Sequence, residues 1–306
     1  MMADHNKIVP PQTLEDLKSF LWDLRQGKSV LPHLGQKSTK TLAKMVDAPN
    51  YAAVTSINKL AKDYNINAST LTRLAKKLGY SGFSSFQDIF REYIANKKSF
   101  YSLHAQKLLS EKSKTTGKNI PLLHAVSEAE LVNVQEMIEN VDEVKLETAI
   151  NLLATAPRVR VLGLRQSFSI AHFFSYTLKL IRKEVSLLGR AGHTLAEDIA
   201  ELSRNDLVFI ITLHPYTTDT VTACAAIRER GIKIIALTDS YGSPVVSQEE
   251  HTFIVSSEGP FYFNGIVASV VFLESLLTMV ARDLGKKAVK ELKLREKLFT
   301  DLNVEF

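Results

Sequence analysis

One cysteine, Cys224, in 306 residues leaves nothing to pair within the chain. No intrachain disulfide is possible, and the composition suits a reducing compartment. No apolar run approaches the ~20 residues of a membrane-spanning helix. The longest, Gly265 to Ala281, is interrupted by Glu274 and reads as a buried helix. The opening MMADHNKIVPPQTLEDLK lacks the apolar core of a secretory signal, so a cytoplasmic location with no membrane partner is expected. Also missing are GxxxxGK[ST], GxGxxG after a strand, HExxH and any Cys/His metal spacing, and the 8 histidines are scattered. That leaves little room for an NTPase, a dehydrogenase or a metalloenzyme, and neither a metal nor a cofactor is expected.

What is present is apolar content of 45%, enough for one large core or two ordinary ones. Charge is divided unevenly. Up to residue 120 there are 19 Lys and Arg against 9 Asp and Glu, and beyond it 19 against 24. The first part is suited to a polyanion and the second to some other task, although a solvated basic surface would give the same numbers.

Helical spacing begins at Thr13, with Leu14, Leu17, Phe20, Leu21 and Leu24 on one face, and a second helix is expected from Ser38 to Val46, ended by Pro49. Two short helices follow. Ser56 is a good N-cap for the first, whose Ile57, Leu60, Ala61 and Tyr64 share a face. Asn65 stands where a tight turn needs positive φ, and Asn67 is placed to cap the next helix. Leu71, Leu74, Ala75 and Leu78 then form its buried stripe, and Gly79 its stop. A further helix carries Phe83, Phe86 and Phe90 inward and runs on to Leu109. Residues 111–121, polar and basic, read as a linker.

From Arg158 the pattern changes to VRVLGL, VSLLG, DLVFIITL, KIIALTD and HTFIVSS, separated by helical stretches. Continuous apolar strands alternating with helices predict a parallel sheet covered on both faces, a three-layer αβα domain whose ligands sit at the strand carboxyl ends. The basic stretch KKAVKELKLREKLF reads as a packing helix. Expected boundaries are 1–110, the linker 111–121, 122–290 and a C-terminal helix 291–306.

Two short capped helices joined by a tight turn make a helix-turn-helix, whose second helix enters the major groove. Ser69, Thr70 and Arg73 would face bases or phosphates, and Lys59, Lys62, Lys76 and Lys77 phosphates. Spacing alone fits an ordinary helical hairpin equally well.

The segment SINKLAKDYNINASTLTRLAKKLGYSGFSSFQ, however, resembles the DNA-binding domain of the RpiR family of bacterial transcriptional regulators. Ser56, Leu60, Ala61, Thr70, Arg73, Lys77, Leu78, Gly79, Gly82 and Phe83 match in register, with Asn65 in place of the turn Gly and Asn67 in place of the cap Ser. The resemblance implies an operator DNA partner and a flavodoxin-like SIS (sugar isomerase) domain that binds a phosphorylated sugar, and because one short helix contacts only a half-site, a homodimer or homotetramer is expected. VRVLGLRQSFSIAHFF resembles that domain's first strand, loop and helix, with Gly163 and Ser167 matching the family's Gly and phosphate-contacting Ser. KIIALTDSYGSPV resembles a second segment of it. The fold expected is thus α/β overall, an all-α helix-turn-helix domain joined to an αβα domain.

Ligand candidates at the strand ends are Arg165, Gln166, Ser167, Ser169, Thr212, His214, Thr217, Thr220, Asp239 and Ser240. Independently of family, the Arg165–Ser169 loop offers hydroxyls and a helix N-terminus to an anion, or plain capping. The third strand end departs from the family pattern S-x-S-G-x-T, since His214 and Pro215 replace Ser and Gly, and Pro lacks an N–H donor. Either a differently shaped anion pocket or a domain that only oligomerises would result. A sugar-phosphate isomerase is the competing reading, with Glu258, Glu274 and His193 or His214 as its proton-transfer candidates. It would leave the N-terminal domain without a purpose, and a regulator rather than an enzyme is expected.

Overall fold

The computed structural model describes residues 9–26, 34–96, 100–112, 119–189, 194–247 and 251–304. They form two compact units, Met1–Leu103 with Ser240–Gly242, and His104–Asp239 with Ser243–Phe306.

In the first unit the described helices are α1 (Leu14–Gln26), α2 (Gln36–Asp47), α3 (Pro49–Val54), α4 (Ile57–Asp63), α5 (Ala68–Lys77) and α6 (Phe83–Asn96). The expected apolar stripes meet in one core, where Leu17, Leu42, Met45, Leu60, Leu71 and Phe86 are fully buried. The second helix does end ahead of Pro49, at Asp47, as expected, but α3 was not foreseen. Pro49 also occupies the first position of this new helix, where a missing N–H removes no hydrogen bond. The end of α3 is held from a distance. Buried Gln87 on α6 donates from Nε2 to the carbonyls of Ala52 and Thr55, each at 2.8 Å, and accepts at Oε1 from Arg91 at 2.8 Å.

Both short helices end the same way. After α4, Asn65 (φ 53) donates to Lys62 O and Ile66 N–H reaches Ala61 O; after α5, Gly79 (φ 95) donates to Lys76 O and Tyr80 N–H reaches Ala75 O. These paired bonds satisfy the last carbonyls of each helix, and they require a left-handed residue, which Asn and Gly tolerate. Helix α7 (Phe100–Lys112) follows α6 across residues 97–99, which lie outside the described set. The next, α8 (Asn119–Asn140), begins inside the stretch read as linker, of which 113–118 are also outside.

The second unit continues with α9 (Glu143–Thr155), β1 (Val159–Leu162), α10 (Ser167–Ile181), β2 (Val185–Leu187), α11 (Leu195–Ala200), β3 (Leu207–Thr212), α12 (Thr218–Glu229), β4 (Lys233–Thr238), β5 (His251–Ile254), α13 (Val267–Leu284) and α14 (Lys286–Asp301). All five strands are parallel, in the order β2-β1-β3-β4-β5. Side-chain alternation sorts them into two layers. Leu207, Phe209 and Ile211 pack with residues of α9, α10 and α13, whereas Val208 and Ile210 pack with Ala223, Cys224 and Ile227 of α12. The three-layer expectation is met, and every residue of β3 is buried.

At the amino ends of the strands a fork ties β1 to β3. Arg158 donates from Nε to Asp206 Oδ1 at 2.9 Å and from Nη2 to Oδ2 at 2.6 Å, and Ser203 N–H adds a bond to Oδ2 at 2.8 Å. Burial pushes the Asp206 carboxyl up, but these donors outweigh it and hold the group below its ordinary value. A carboxylate depressed on folding adds stability that is complete above its unfolded value of about 3.9 and is lost as pH falls through the lower folded value. Acid unfolding followed by circular dichroism should therefore be shallower in Asp206→Asn, which should also unfold earlier at neutral pH. Equal acid sensitivity in the two proteins would show that this pair does not set it.

Candidate functional site

On α5, burial divides the residues cleanly. Leu71, Leu74 and Ala75 are enclosed, while Ser69, Arg73, Lys76 and Lys77 are exposed and Thr70 and Thr72 are half-buried. Ser69, Arg73 and Lys76 lie one turn apart along a single outward face. Arg73 Nη2 donates to Thr70 Oγ1 at 3.4 Å, so the guanidinium is steered along the helix with most of its donors left to the outside. On α4, Lys59 and Lys62 are exposed too. The Ser56 cap forms, its hydroxyl accepting from Lys59 N–H at 3.4 Å. Asn67 occupies the cap position of α5 with extended backbone, but its side chain makes no capping bond, so the expected cap is one of position only.

At the carboxyl ends of the strands, hydrogen bonds join the loops of β1, β3, β4 and β5. Gly163 brings β1 against α10 so closely that a Cβ there would stand 2.7 Å from both Ala171 Cβ and Ser167 O. Arg165 (φ 55) is exposed, Ser167 is buried in the first turn of α10, and exposed Ser169 donates to Gln166 O at 2.9 Å. Neither serine is the N-cap; that position is Gln166, without a side-chain capping bond. Instead Gln166 Nε2 reaches Asn264 O at 2.7 Å, and Asn264 Nδ2 reaches His214 O at 2.5 Å. His214 N–H in turn donates to Asp239 Oδ2 at 3.0 Å. Thr238 Oγ1 adds a bond to Asp239 Oδ1 at 3.3 Å.

This belt includes Gln166, His214 and Asp239, with Ser167 and Ser169 beside Gln166 in the chain. Burial pushes the Asp239 carboxyl up, while the His214 N–H and imidazole and the Tyr216 hydroxyl pull the other way. Thr212 is buried at the end of β3, Thr217 is the N-cap residue of α12 without a side-chain bond, and Thr220 has a buried hydroxyl with no hydrogen-bond partner among the described residues. Ser240 accepts from Gly242 N–H at 3.0 Å and groups with the first compact unit.

Sequence reasoning missed two residues here. Asn264 reads as the start of a helix, but α13 begins at Val267 and leaves Asn264 in the loop as the hub of the belt. Glu130, a buried carboxylate on α8, backs that loop: a Cβ on Gly265 would lie 2.6 Å from its Oε1. The Asn-Gly pair was the one available sign of a turn. Of the proton-transfer candidates, Glu258 is exposed in the loop after β5, Glu274 is exposed midway along α13, and His193 lies outside the described residues. Among the described residues no three His, Cys, Asp or Glu side chains are placed to hold a metal, and no helix is long and apolar enough to cross a membrane.

Comparison with known proteins places each unit. Residues 24–97 match the family model described as a helix-turn-helix domain of the rpiR family, and residues 152–279 match that of the SIS domain. A helix-turn-helix transcriptional regulator of Clostridium perfringens is 24% identical over 274 residues, covering 87% of this chain and 95% of that protein. The sugar isomerase domain of an RpiR transcription factor from Sphaerobacter thermophilus is similar in structure with a TM-score of 0.55 and 25% identity, covering 59% of this chain and 99% of that one. The NanR protein of Vibrio vulnificus, solved in complex with ManNAc-6P, gives a TM-score of 0.52 at 16% identity, covering 92% of this chain and 99% of that one. The two family matches fall one in each compact unit, and this chain belongs to the RpiR family of DNA-binding helix-turn-helix transcriptional regulators.

Proposed function

We propose that this regulator reads an operator with the outward face of α5 and senses a phosphorylated sugar at the strand ends of its SIS domain. The observation that carries the first half is the exposed Ser69, Arg73 and Lys76 face on a helix whose other side is fully buried. Arg73 supplies a fork suited to guanine, Ser69 and Thr70 can donate or accept, and Lys59, Lys76 and Lys77 meet phosphates. One short helix covers only a half-site, so the working form is a homodimer or homotetramer with half-sites about one DNA turn apart or a multiple of it.

The belt at the strand ends supports the second half. Its bonds fix the loops that carry Arg165, Ser167, Ser169, His214 and Thr217 around one region of the sheet. A phosphate would be held there differently from a loop with free amides, because His214 N–H is committed to Asp239 and Pro215 has none. Arg165, Ser167 and the first turn of α10 take over that role. The effector class is that of ManNAc-6P, the ligand of the similarly folded NanR. It acts by binding one arrangement of the oligomer better than another, without which DNA affinity could not change. On this reading the protein works in the cytoplasm as a regulator and not an enzyme, and the carboxylates of the isomerase reading, Glu258 and Glu274, are exposed.

Two substitutions test the halves separately. Arg73→Ala should cost roughly 1 to 3 kcal/mol of specific binding to the DNA upstream of the gene, measured by fluorescence anisotropy against scrambled competitor. Unchanged affinity would remove Arg73 from the recognition face. Ser167→Ala should leave effector-free DNA binding intact and weaken the response in a screen of sugar phosphates. A normal dose response would place the phosphate elsewhere.

A further inference from the structure

A second basic surface lies on α2, outside the helix-turn-helix pair. Lys37, Lys40 and Lys44 are all exposed, while Thr41, Leu42, Met45 and Val46 between and beyond them are buried. At i, i+3 and i+7 the three ammonium groups share one outward stripe, about 10 Å long at the helical rise of 1.5 Å per residue. Ordinary solvated lysines are usually interleaved with acids, as on α14, where Lys290, Lys293 and Lys297 alternate with Glu291 and Glu296 and Arg295 is bonded to Glu291 at 3.0 Å. Helix α2 has no Asp or Glu until its last position, Asp47.

The stripe is also tied to the reading helix. Lys44 Nζ stands 5.7 Å from the centre of the Tyr64 ring, within cation–π range. Tyr64 is the C-cap of α4 and opens the turn that delivers the chain to Ala68, the first residue of α5. One end of the stripe therefore lies beside the amino end of α5, the end that a recognition helix brings to base edges. The acid at that corner, Asp63, has its carboxylate engaged by the Tyr51 hydroxyl.

We propose that Lys37, Lys40 and Lys44 bind phosphates of the DNA strand flanking the groove that α5 enters, a contact line separate from the lysines of α4 and α5. It rests on the reading that α5 enters the groove. Lysine fits the task, because a compact charge on a flexible stem holds a phosphate without demanding a base. The stripe contributes affinity and register and no sequence information.

The test measures log K against log salt for the full chain on its own upstream duplex and on a scrambled one. Each phosphate contact contributes about 0.9 to the slope, so Lys37→Gln/Lys40→Gln/Lys44→Gln should flatten it by about 2 to 3 on both duplexes, with the preference between them kept. The triple Lys290→Gln/Lys293→Gln/Lys297→Gln, with the same loss of charge, should leave the slope as it is. An unchanged slope in the α2 variant, or an equal flattening in the α14 variant, overturns the stripe. If the unsubstituted protein shows no preference between duplexes, the base-reading role of α5 fails, and a flattening confined to the α2 variant still supports the lysines as phosphate contacts. Circular dichroism of both variants checks that the helices persist.

Discussion

A parallel strand covered on both faces has no place for a polar side chain except at its ends, and the second unit is organised by that constraint. All of β3 and nearly all of β4 are apolar and enclosed until Thr212 and Thr238. Polar groups therefore collect just beyond, where the loops must satisfy one another. Asn264 does most of this, joining Gln166 of the first loop to the carbonyl of His214 in the third, while Asp239 takes the His214 N–H. Loops held this way are already ordered by their own bonds, so the ligand proposed for this rim would not have to meet that cost. The amino ends of the strands use the Arg158–Asp206 fork for the same purpose, and there the result is purely structural.

The first unit meets a different constraint. Helices of 7 and 10 residues are too short to persist alone, so each depends on the core beneath it and on having its terminal carbonyls satisfied. Asn65 and Gly79 supply the left-handed residue at each end. Because the core takes Leu71, Leu74 and Ala75 on one side, the other side of α5 is free to carry Ser69, Arg73 and Lys76 at no expense to packing. The recognition chemistry proposed for this helix would thus be carried on a surface that the fold does not need. The lysines of α2 stand on such a surface too.

Legibility followed the range of the interactions. Where neighbours in sequence decide the outcome, the reading was close: the five apolar runs are the five strands, the Ser56 bond forms, and Asn65 and Gly79 take positive φ. The end of α2 ahead of Pro49 was legible, but the helix that Pro49 begins was not, because the carbonyls at its end are held by Gln87 of α6, far along the chain. Gln87 and Asn264 were not singled out, because partners of each lie far along the chain. Gln87 bonds carbonyls 35 and 32 residues away, and Asn264 bonds a carbonyl 50 residues away. No local period marks such residues.

By itself the sequence determined the pair of short helices with its polar face, and the alternation of apolar strands and helices, since both follow from periodicity and turn chemistry within a few residues. It also carried the replacement of Ser-Gly by His214-Pro215 in plain view. Only the tertiary structure decided where the His214 N–H goes, because its acceptor, Asp239, is brought alongside by the pairing of β3 with β4. It alone decided that Gln166, His214 and Asp239 form one belt through Asn264, because hydrogen bonds between loops exist only once the sheet has set its strands side by side.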